Sequence, residues 1–110
     1  MTGNGRKKVL AVFYRSKSGN EPVREWLLKL TKENRRAIGG DIQTVEFGWP
    51  IGDGLYEVRI DLDNKRIARV LFFFKNGKMV LLHGFIKKAK KTPKPDLDLA
   101  KKRRKEVDNG

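Results

Sequence analysis

The chain contains no cysteine and a single histidine among its 110 residues. The absence of cysteine excludes disulfide bonds and thiolate zinc sites, and carboxylates remain as almost the only metal ligands. No carboxylates have a suitable spacing, so we expect no metal and no small-molecule cofactor. A GxxxxGK[ST] phosphate loop is also lacking, which leaves nucleotide-dependent chemistry unsupported.

Long hydrophobic runs are missing as well, since no stretch reaches the roughly 18 apolar residues that a membrane span needs. The basic start MTGNGRKK precedes only the short apolar segment VLAVFY, a pattern that does not fit a signal peptide. We therefore expect a cytoplasmic protein without a membrane partner. The length indicates one domain over residues 1–110, with a flexible arm at 1–6 and a basic tail at 101–110.

Acidic residues are few compared with basic ones. The 26 Lys and Arg against 13 Asp and Glu give a net charge of +13. Residues 87–105 hold ten basic side chains against two acids, Asp96 and Asp98. This concentration favours a polyanionic partner, because a protein that neutralises phosphates releases their counterions.

The first half of the chain has the patterns of one strand and two helices. Residues 8–14, KVLAVFY, form a short apolar run that indicates a buried strand. The spacing i, i+3, i+4, i+7 of one helical face is shown by Val23, Trp26, Leu27 and Leu30. We predict two antiparallel helices over residues 21–47, followed by a loop that includes Gly52 and Gly54.

From Leu55 the apolar period changes to two, which is typical of a strand with one buried face. The core face is predicted to carry Tyr56, Val58, Ile60 and Leu62. The other face is predicted to carry Leu55, Glu57, Arg59 and Asp61. Two further runs, RIARVLFFF and KMVLLHGFI, flank Asn76-Gly77, which is a strong hairpin signal.

A two-residue turn at Asn76-Gly77 predicts the partners across this hairpin. Arg69 then lies opposite Gly84, with Lys88 further along the same face. His83 lies on the opposite face, where we interpret it as a core residue beneath the helical hairpin.

The position of Arg59 relative to Arg69 depends on the loop between their strands. An odd-numbered loop pairs the two arginines directly, whereas a two-residue loop places them on opposite faces. A final helix is predicted over residues 96–107, with a thin apolar side that docks over Leu71 and Leu82. The whole is an α+β domain of order β-α-α-β-β-β-α, with a twisted antiparallel sheet, a helical hairpin on one face and a C-terminal basic helix.

Arginine and lysine on a sheet face suit one class of reaction. When the 2′-hydroxyl of RNA attacks the adjacent phosphate, a guanidinium matches the non-bridging oxygens and stabilises the negative phosphorane. Glu57, on the same face as Arg59, is a candidate general base. The alternative is that Glu57 only pairs with Arg59 or a lysine. DNA cleavage is disfavoured because it needs an external nucleophile and usually a metal.

The segments GLYEVRI, ARVLFFF and LLHGFIKKAKKTP, followed by a helix containing LDLA, resemble the phage Gp49-like branch of HigB toxins. These toxins belong to the RelE/ParE superfamily of type II toxin–antitoxin systems, and the resemblance covers roughly residues 8–107. It implies a RelE-like fold and a toxin that enters the ribosomal A site and cuts mRNA during translation. It also implies neutralisation by a helix-turn-helix antitoxin of the HigA type.

The resemblance further implies which residues act. By position, Arg59, Arg69 and Lys88 match the basic residues that carry the chemistry in RelE-like enzymes, and Lys87 is an adjacent candidate. Arg69 and Lys88 would orient and neutralise the scissile phosphate. The residues implied to hold the rRNA or mRNA backbone are Lys90, Lys91, Lys94, Lys101, Lys102, Arg103, Arg104 and Lys105.

Two other functions remain open, and so does the general base. ParE toxins of the same superfamily poison DNA gyrase, but they generally lack the basic trio. A non-catalytic nucleic-acid-binding module would keep the charge without requiring Arg69 at this position. The tyrosine that assists RelE after its last strand is absent from KKTPKP, and His83 is the only histidine that could replace it.

Overall fold

The computed structural model describes residues 10–44, 49–62, 65–88 and 91–109. The strands and helices are β1 (Leu10–Phe13), α1 (Pro22–Leu28), α2 (Lys32–Thr44), β2 (Trp49–Gly52), β3 (Leu55–Asp61), β4 (Ile67–Lys75), β5 (Lys78–Lys87) and α3 (Lys94–Asn109). The predicted α+β fold is confirmed, with β2 as an additional strand. The predicted arm at residues 1–6 lies outside the described residues. Within the described ranges, no helix has the length and apolar character to cross a membrane.

The five strands form one sheet in the order β1-β5-β4-β3-β2. Neighbours from β2 to β5 are antiparallel, whereas β1 runs parallel to β5. The sheet is therefore mixed at one edge rather than wholly antiparallel. Tight turns force successive strands to alternate in direction, but β1 reaches the sheet through a helical connection that imposes no such alternation.

The strand β2 is not predicted from the sequence, which indicates a loop that includes Gly52 and Gly54 in this region. It pairs with β3 through Asp53-Gly54, whose φ values are 55° and 75°. Asn76-Gly77 joins β4 to β5 with nearly the same values, 53° and 75°. Both pairs have the positive φ values of a type I′ hairpin turn, so Asp53-Gly54 was the available signal for β2.

The helices α1 and α2 cover one face of the sheet, as predicted. Val23 of α1 and Ile38 of α2 are fully buried, and together with the other apolar residues of α1 they pack against β3 and β4. The strand residues predicted for this face all belong to this core: Tyr56, Val58, Ile60 and Leu62. The period-two reading of β3 is thus confirmed.

The helix α3 covers the opposite face, over Leu71 and Leu82 as predicted, through Leu97 and Ala100. Its apolar stripe is narrow, and polar contacts supplement it. Arg103 Nη1 donates a 2.8 Å hydrogen bond to the carbonyl oxygen of Leu82. The ion pair between Asp96 and Lys87 places the first turn of α3 beside the end of β5.

A bulge in β5 changes the register of the β4–β5 hairpin. Next to the turn the pairs are those predicted, Phe73 with Val80 and Phe72 with Leu81. Leu82 is then an extra residue, and the pairs beyond it are Leu71 with His83, Val70 with Gly84 and Arg69 with Phe85. The prediction that Arg69 lies opposite Gly84 is wrong, because a β-bulge adds one residue to one strand and shifts every later pair.

Gly84 faces α1 instead. A Cβ built on Gly84 would overlap the ring of Trp26. The missing side chain at Gly84 therefore lets the Trp26 indole lie directly on the sheet. Gly84 does not lie opposite Arg69, which pairs with Phe85.

Candidate active site

Arg59 and Arg69 lie directly opposite each other on β3 and β4. The connection between these strands comprises residues 62–66, an odd number, and the backbone N–H of Leu62 donates to the carbonyl oxygen of Arg66. Of the two loop lengths that the sequence left open, the structure confirms the odd-numbered loop, which pairs the two arginines directly. Since residues alternate between the faces of a strand, both arginines share the α3 face with Leu71 and Phe73.

Arg69 is the most unusual residue of this face. Its side chain is fully buried, and its three guanidinium nitrogens have no hydrogen-bond partner among the described residues. A buried polar group without a partner costs about 1–3 kcal/mol, and a charged group costs more. A site that holds a cation in this way is suited to receive an anion.

Glu57 lies beside the arginine pair and is also fully buried. One carboxylate oxygen accepts a hydrogen bond from Arg59 Nε, and the other accepts one from Thr92 Oγ1. The Arg59 side chain remains 43% exposed, so its guanidinium reaches solvent while the carboxylate anchors it. This geometry agrees with the alternative in which Glu57 pairs with Arg59 and is not the general base, because both of its carboxylate oxygens already accept hydrogen bonds.

The bulge brings His83 and Lys87 onto the α3 face, where they meet Asp96 from the first turn of α3. His83 Nε2 lies 2.7 Å from Asp96 Oδ1, and Lys87 Nζ lies 2.9 Å from Asp96 Oδ2. Asp96 is 9% exposed. The expectation that His83 lies beneath the helical hairpin is therefore wrong, because the shifted register turns it to the other face.

The same shift separates Lys87 from Lys88. Lys87 takes the place on the Arg69 face that the predicted register assigned to Lys88. Lys88 lies one residue beyond the end of β5 and is exposed. Its predicted position on the Arg69 face is wrong, and its contribution to chemistry stays a prediction.

The contacts of this cluster shift the pKa values of His83 and Asp96. Burial lowers the pKa of His83, and this effect outweighs the hydrogen bond and charge of Asp96, which raise it; Arg103 and Lys87 lower it further. Burial raises the pKa of Asp96, but hydrogen bonds from His83 and Lys87 outweigh burial and hold the pKa below its usual range. At neutral pH the pair is thus a neutral imidazole beside an ionised carboxylate.

The residues predicted to hold RNA divide into two groups. The lysines have exposed side chains: Lys91, Lys94, Lys101, Lys102 and Lys105. Of these, Lys101 forms a 2.9 Å ion pair with Asp53. Lys90 lies outside the described residues. The exposed lysines follow α3 and the segment before it, and the ion pair of Lys101 with Asp53 places that lysine beside the turn between β2 and β3.

Arg103 and Arg104 are used within the fold. Besides its bond to Leu82, the Arg103 guanidinium lies 5.6 Å from the centre of the Tyr14 ring. Arg104 donates to the carbonyl oxygen of Asp53 and lies 5.2 Å from the centre of the Phe73 ring. Their RNA-binding role stays a prediction, while their contacts show that they attach α3 to the sheet.

Two residues of the site, Asp96 and Thr92, are not predicted from the sequence, and His83 is predicted on the opposite face. No local pattern distinguishes Thr92 and Asp96 as site residues, because they lie within a segment in which most polar residues are lysines. For His83 the obstacle was the bulge, which no turn residue indicates. The described ranges contain no cluster of three or more potential metal ligands.

A five-stranded sheet with a helical hairpin on one face and a basic site beneath a C-terminal helix on the other is a RelE-like architecture. The family model described as "Phage derived protein Gp49-like (DUF891)" matches residues 25–105. The chain belongs to this family, which is part of the RelE/ParE-like toxin superfamily. A comparison with curated proteins finds no match. The family is of the toxin type and implies an antitoxin partner.

Proposed function

We propose that this toxin is a ribosome-dependent endoribonuclease of a type II toxin–antitoxin system, of the HigB kind, that cleaves mRNA during translation. The 2′-hydroxyl attacks the adjacent phosphate, which yields a cyclic 2′,3′-phosphate and a free 5′-hydroxyl. The observation that carries the proposal is Arg69, a fully buried guanidinium without a partner in the described ranges, directly opposite a second arginine.

Arg69 would neutralise the non-bridging oxygens as the phosphorane forms. A preorganised charge in a water-poor site stabilises a developing anion more strongly than the same charge in water. Arg59, anchored by Glu57 yet partly exposed, would bind the same phosphate from the solvent side. Lys87 and Lys88 at the end of β5 would add positive charge. Glu57 serves here to orient Arg59, since both of its oxygens are engaged.

The ribosome would supply what this small site lacks, namely placement of the mRNA for in-line attack. The exposed lysines of residues 91–105 are suited to the rRNA or mRNA backbone, because they offer flexible point charges at the surface. A helix-turn-helix antitoxin of the HigA type is the proposed partner. Coexpression with such an antitoxin should restore growth, and the two chains should copurify.

The decisive experiment adds the purified toxin to a reconstituted translation reaction and maps mRNA 5′ ends by primer extension. We expect cuts in translating samples only, and none with ribosome-free mRNA. The Arg69→Ala variant provides the control and should leave the mRNA intact. Cleavage of free mRNA would contradict ribosome dependence. No cleavage at any dose would reject the proposal, and inhibition of supercoiling would then identify a gyrase poison.

A further inference from the structure

We infer that Asp96 is a positioning residue: it fixes the Nε2-protonated tautomer of His83 and so makes Nδ1 of His83 the proton acceptor of the candidate active site. The role in cleavage rests on the proposed function. The tautomer does not, because it follows from the contacts of the cluster and can be measured on the protein alone.

The hydrogen bond between His83 and Asp96 defines the tautomer. An ionised carboxylate is only an acceptor, so the His83 nitrogen that lies 2.7 Å from Asp96 Oδ1 must carry a proton. In a neutral imidazole the other nitrogen, Nδ1, is then the acceptor. Lys87 holds the second oxygen of Asp96 at 2.9 Å. With both oxygens bound, the carboxylate keeps its orientation toward the ring.

The position of Asp96 supports an ionised state. It lies in the first turn of α3, where the partial positive charge of the helix N-terminus favours an anion. The pKa of this carboxyl is held below its usual range by its two donors. The helix α3 therefore brings a fixed negative charge beside Lys87, at the edge of the face that holds the arginine pair.

His83 lies within reach of the arginine pair. It pairs with Leu71, and Arg69 pairs with Phe85, so His83 and Arg69 are diagonal neighbours on one face. Such neighbours are about 7–8 Å apart at the backbone, a distance that long side chains bridge. The His83 ring stacks on Phe85 with 5.2 Å between the ring centres, and its side chain keeps 15% of its surface exposed. The ring is fixed on one side and accessible on another.

The proposed step moves one proton and exchanges one bond. The 2′-hydroxyl proton passes to Nδ1 as the 2′-oxygen bonds to phosphorus, and the bond from phosphorus to the 5′-oxygen breaks. The imidazolium then returns a proton to the 5′-oxygen, which restores neutral His83. Asp96 stabilises the imidazolium without taking its proton, as an aspartate does in other aspartate–histidine pairs.

The charged groups that face His83 are Asp96 and Arg103 from α3 and Lys87 from β5. Burial keeps the pKa of His83 below its usual value of 6.5, so the ring is neutral at physiological pH. Asp96 opposes this shift. Removal of the carboxylate should therefore lower the pKa of His83 further.

The direct test uses the fact that the chain has one histidine. Protein labelled with ¹⁵N and purified without a histidine tag should show one imidazole by NMR, and that imidazole should be protonated at Nε2. In Asp96→Ala the tautomer should become mixed and the pKa should fall. The matched control is Asp98→Ala, an exposed acid two residues away that should change neither. An Nδ1-protonated ring in the wild type, or no change in Asp96→Ala, would overturn the inference.

The second readout is cleavage by the same variants in the translation reaction. We expect Asp96→Ala to lose on the order of 10–100-fold in single-turnover rate at saturating ribosomes, comparable to the loss of a carboxylate that orients a metal-binding histidine. The ribosome concentration for half-maximal rate should be unchanged, and the acid limb of the pH profile should move to lower pH. A variant as fast as the wild type, or faster, would show that Asp96 does not position the base.

The two proposals fail in different ways. If the wild type cuts no mRNA, the proposed function fails, while the NMR result still decides the tautomer. A thermal melt checks that Asp96→Ala is folded. If it is not, Asp96→Asn preserves the volume and an oxygen acceptor but removes the charge. That variant should keep the tautomer and lower the pKa of His83, and an unchanged pKa would contradict the inference.

Discussion

Arg59 and Arg69 face each other across β3 and β4, but only one of the two guanidinium groups is anchored within the described residues. Arg59 donates to Glu57 and is partly exposed, whereas Arg69 is fully buried. Like charges directly opposite each other destabilise a strand pair. The sheet is therefore less stable at this point than an apolar pair would make it, which is a common property of functional sites.

Replacement of Arg69 by methionine should separate function from stability. Methionine preserves much of the volume and removes a buried charge, so we expect the free energy of unfolding to rise by about 1–3 kcal/mol. Cleavage in the translation reaction should be lost. Urea denaturation and primer extension measure the two effects. A destabilised Arg69→Met would show that the guanidinium has a structural partner and would weaken the site assignment.

The contact between Gly84 and Trp26 predicts a packing defect. Alanine at Gly84 would overlap the indole, so Gly84→Ala should lower the free energy of unfolding by about 1–3 kcal/mol. In a Trp26→Leu background, Gly84→Ala should cost less stability than it does in the wild type, because leucine leaves space for the added methyl group. Urea denaturation of the four proteins gives the coupling free energy. Strictly additive effects would contradict the contact.

Stability should depend on pH through His83. Its pKa in the fold lies below the usual 6.5, so protonation favours the unfolded chain. The stabilising effect of the neutral ring is complete above about pH 6.5 and is lost as the pH falls toward the lower, folded value. The midpoint of urea denaturation, measured from pH 8 to 5, should decrease in this window. His83→Gln should abolish that decrease, since no other side chain has its usual pKa there.

The basic residues of α3 should fall into two classes, exposed lysines that bind RNA and arginines that stabilise the fold. Charge removal at exposed Lys102 and Lys105 should reduce the salt dependence of ribosome binding and leave the melting temperature unchanged. For single-stranded RNA each lost phosphate contact lowers the slope of log K against log salt by about 0.7.

Alanine at Arg103 should instead lower the melting temperature, because this side chain binds the Leu82 carbonyl and lies over Tyr14. Thermal melts and ribosome cosedimentation over a range of salt distinguish the two classes. Equal effects from lysine and arginine variants would contradict this division.

Much of the fold was accessible from local patterns. The spacing of Val23, Trp26, Leu27 and Leu30 identified the buried side of α1, and the alternation after Leu55 identified both faces of β3. A period of two placed Glu57 and Arg59 on one face, whereas the face of Arg69 relative to Arg59 depended on the length of the loop between β3 and β4. The strand β2 was missed although Asp53-Gly54 has the composition of a hairpin turn.

Local patterns of the sequence were sufficient to predict the helical hairpin, the strands β3 to β5 and the basic segment after β5. These properties follow from residues close together in the chain. The bulge at Leu82 has another origin. It turns Gly84 toward Trp26 and His83 toward Asp96, so its stability depends on helices that come from distant parts of the chain. Only the tertiary structure could therefore decide that His83, Lys87 and Asp96 meet beside the arginines.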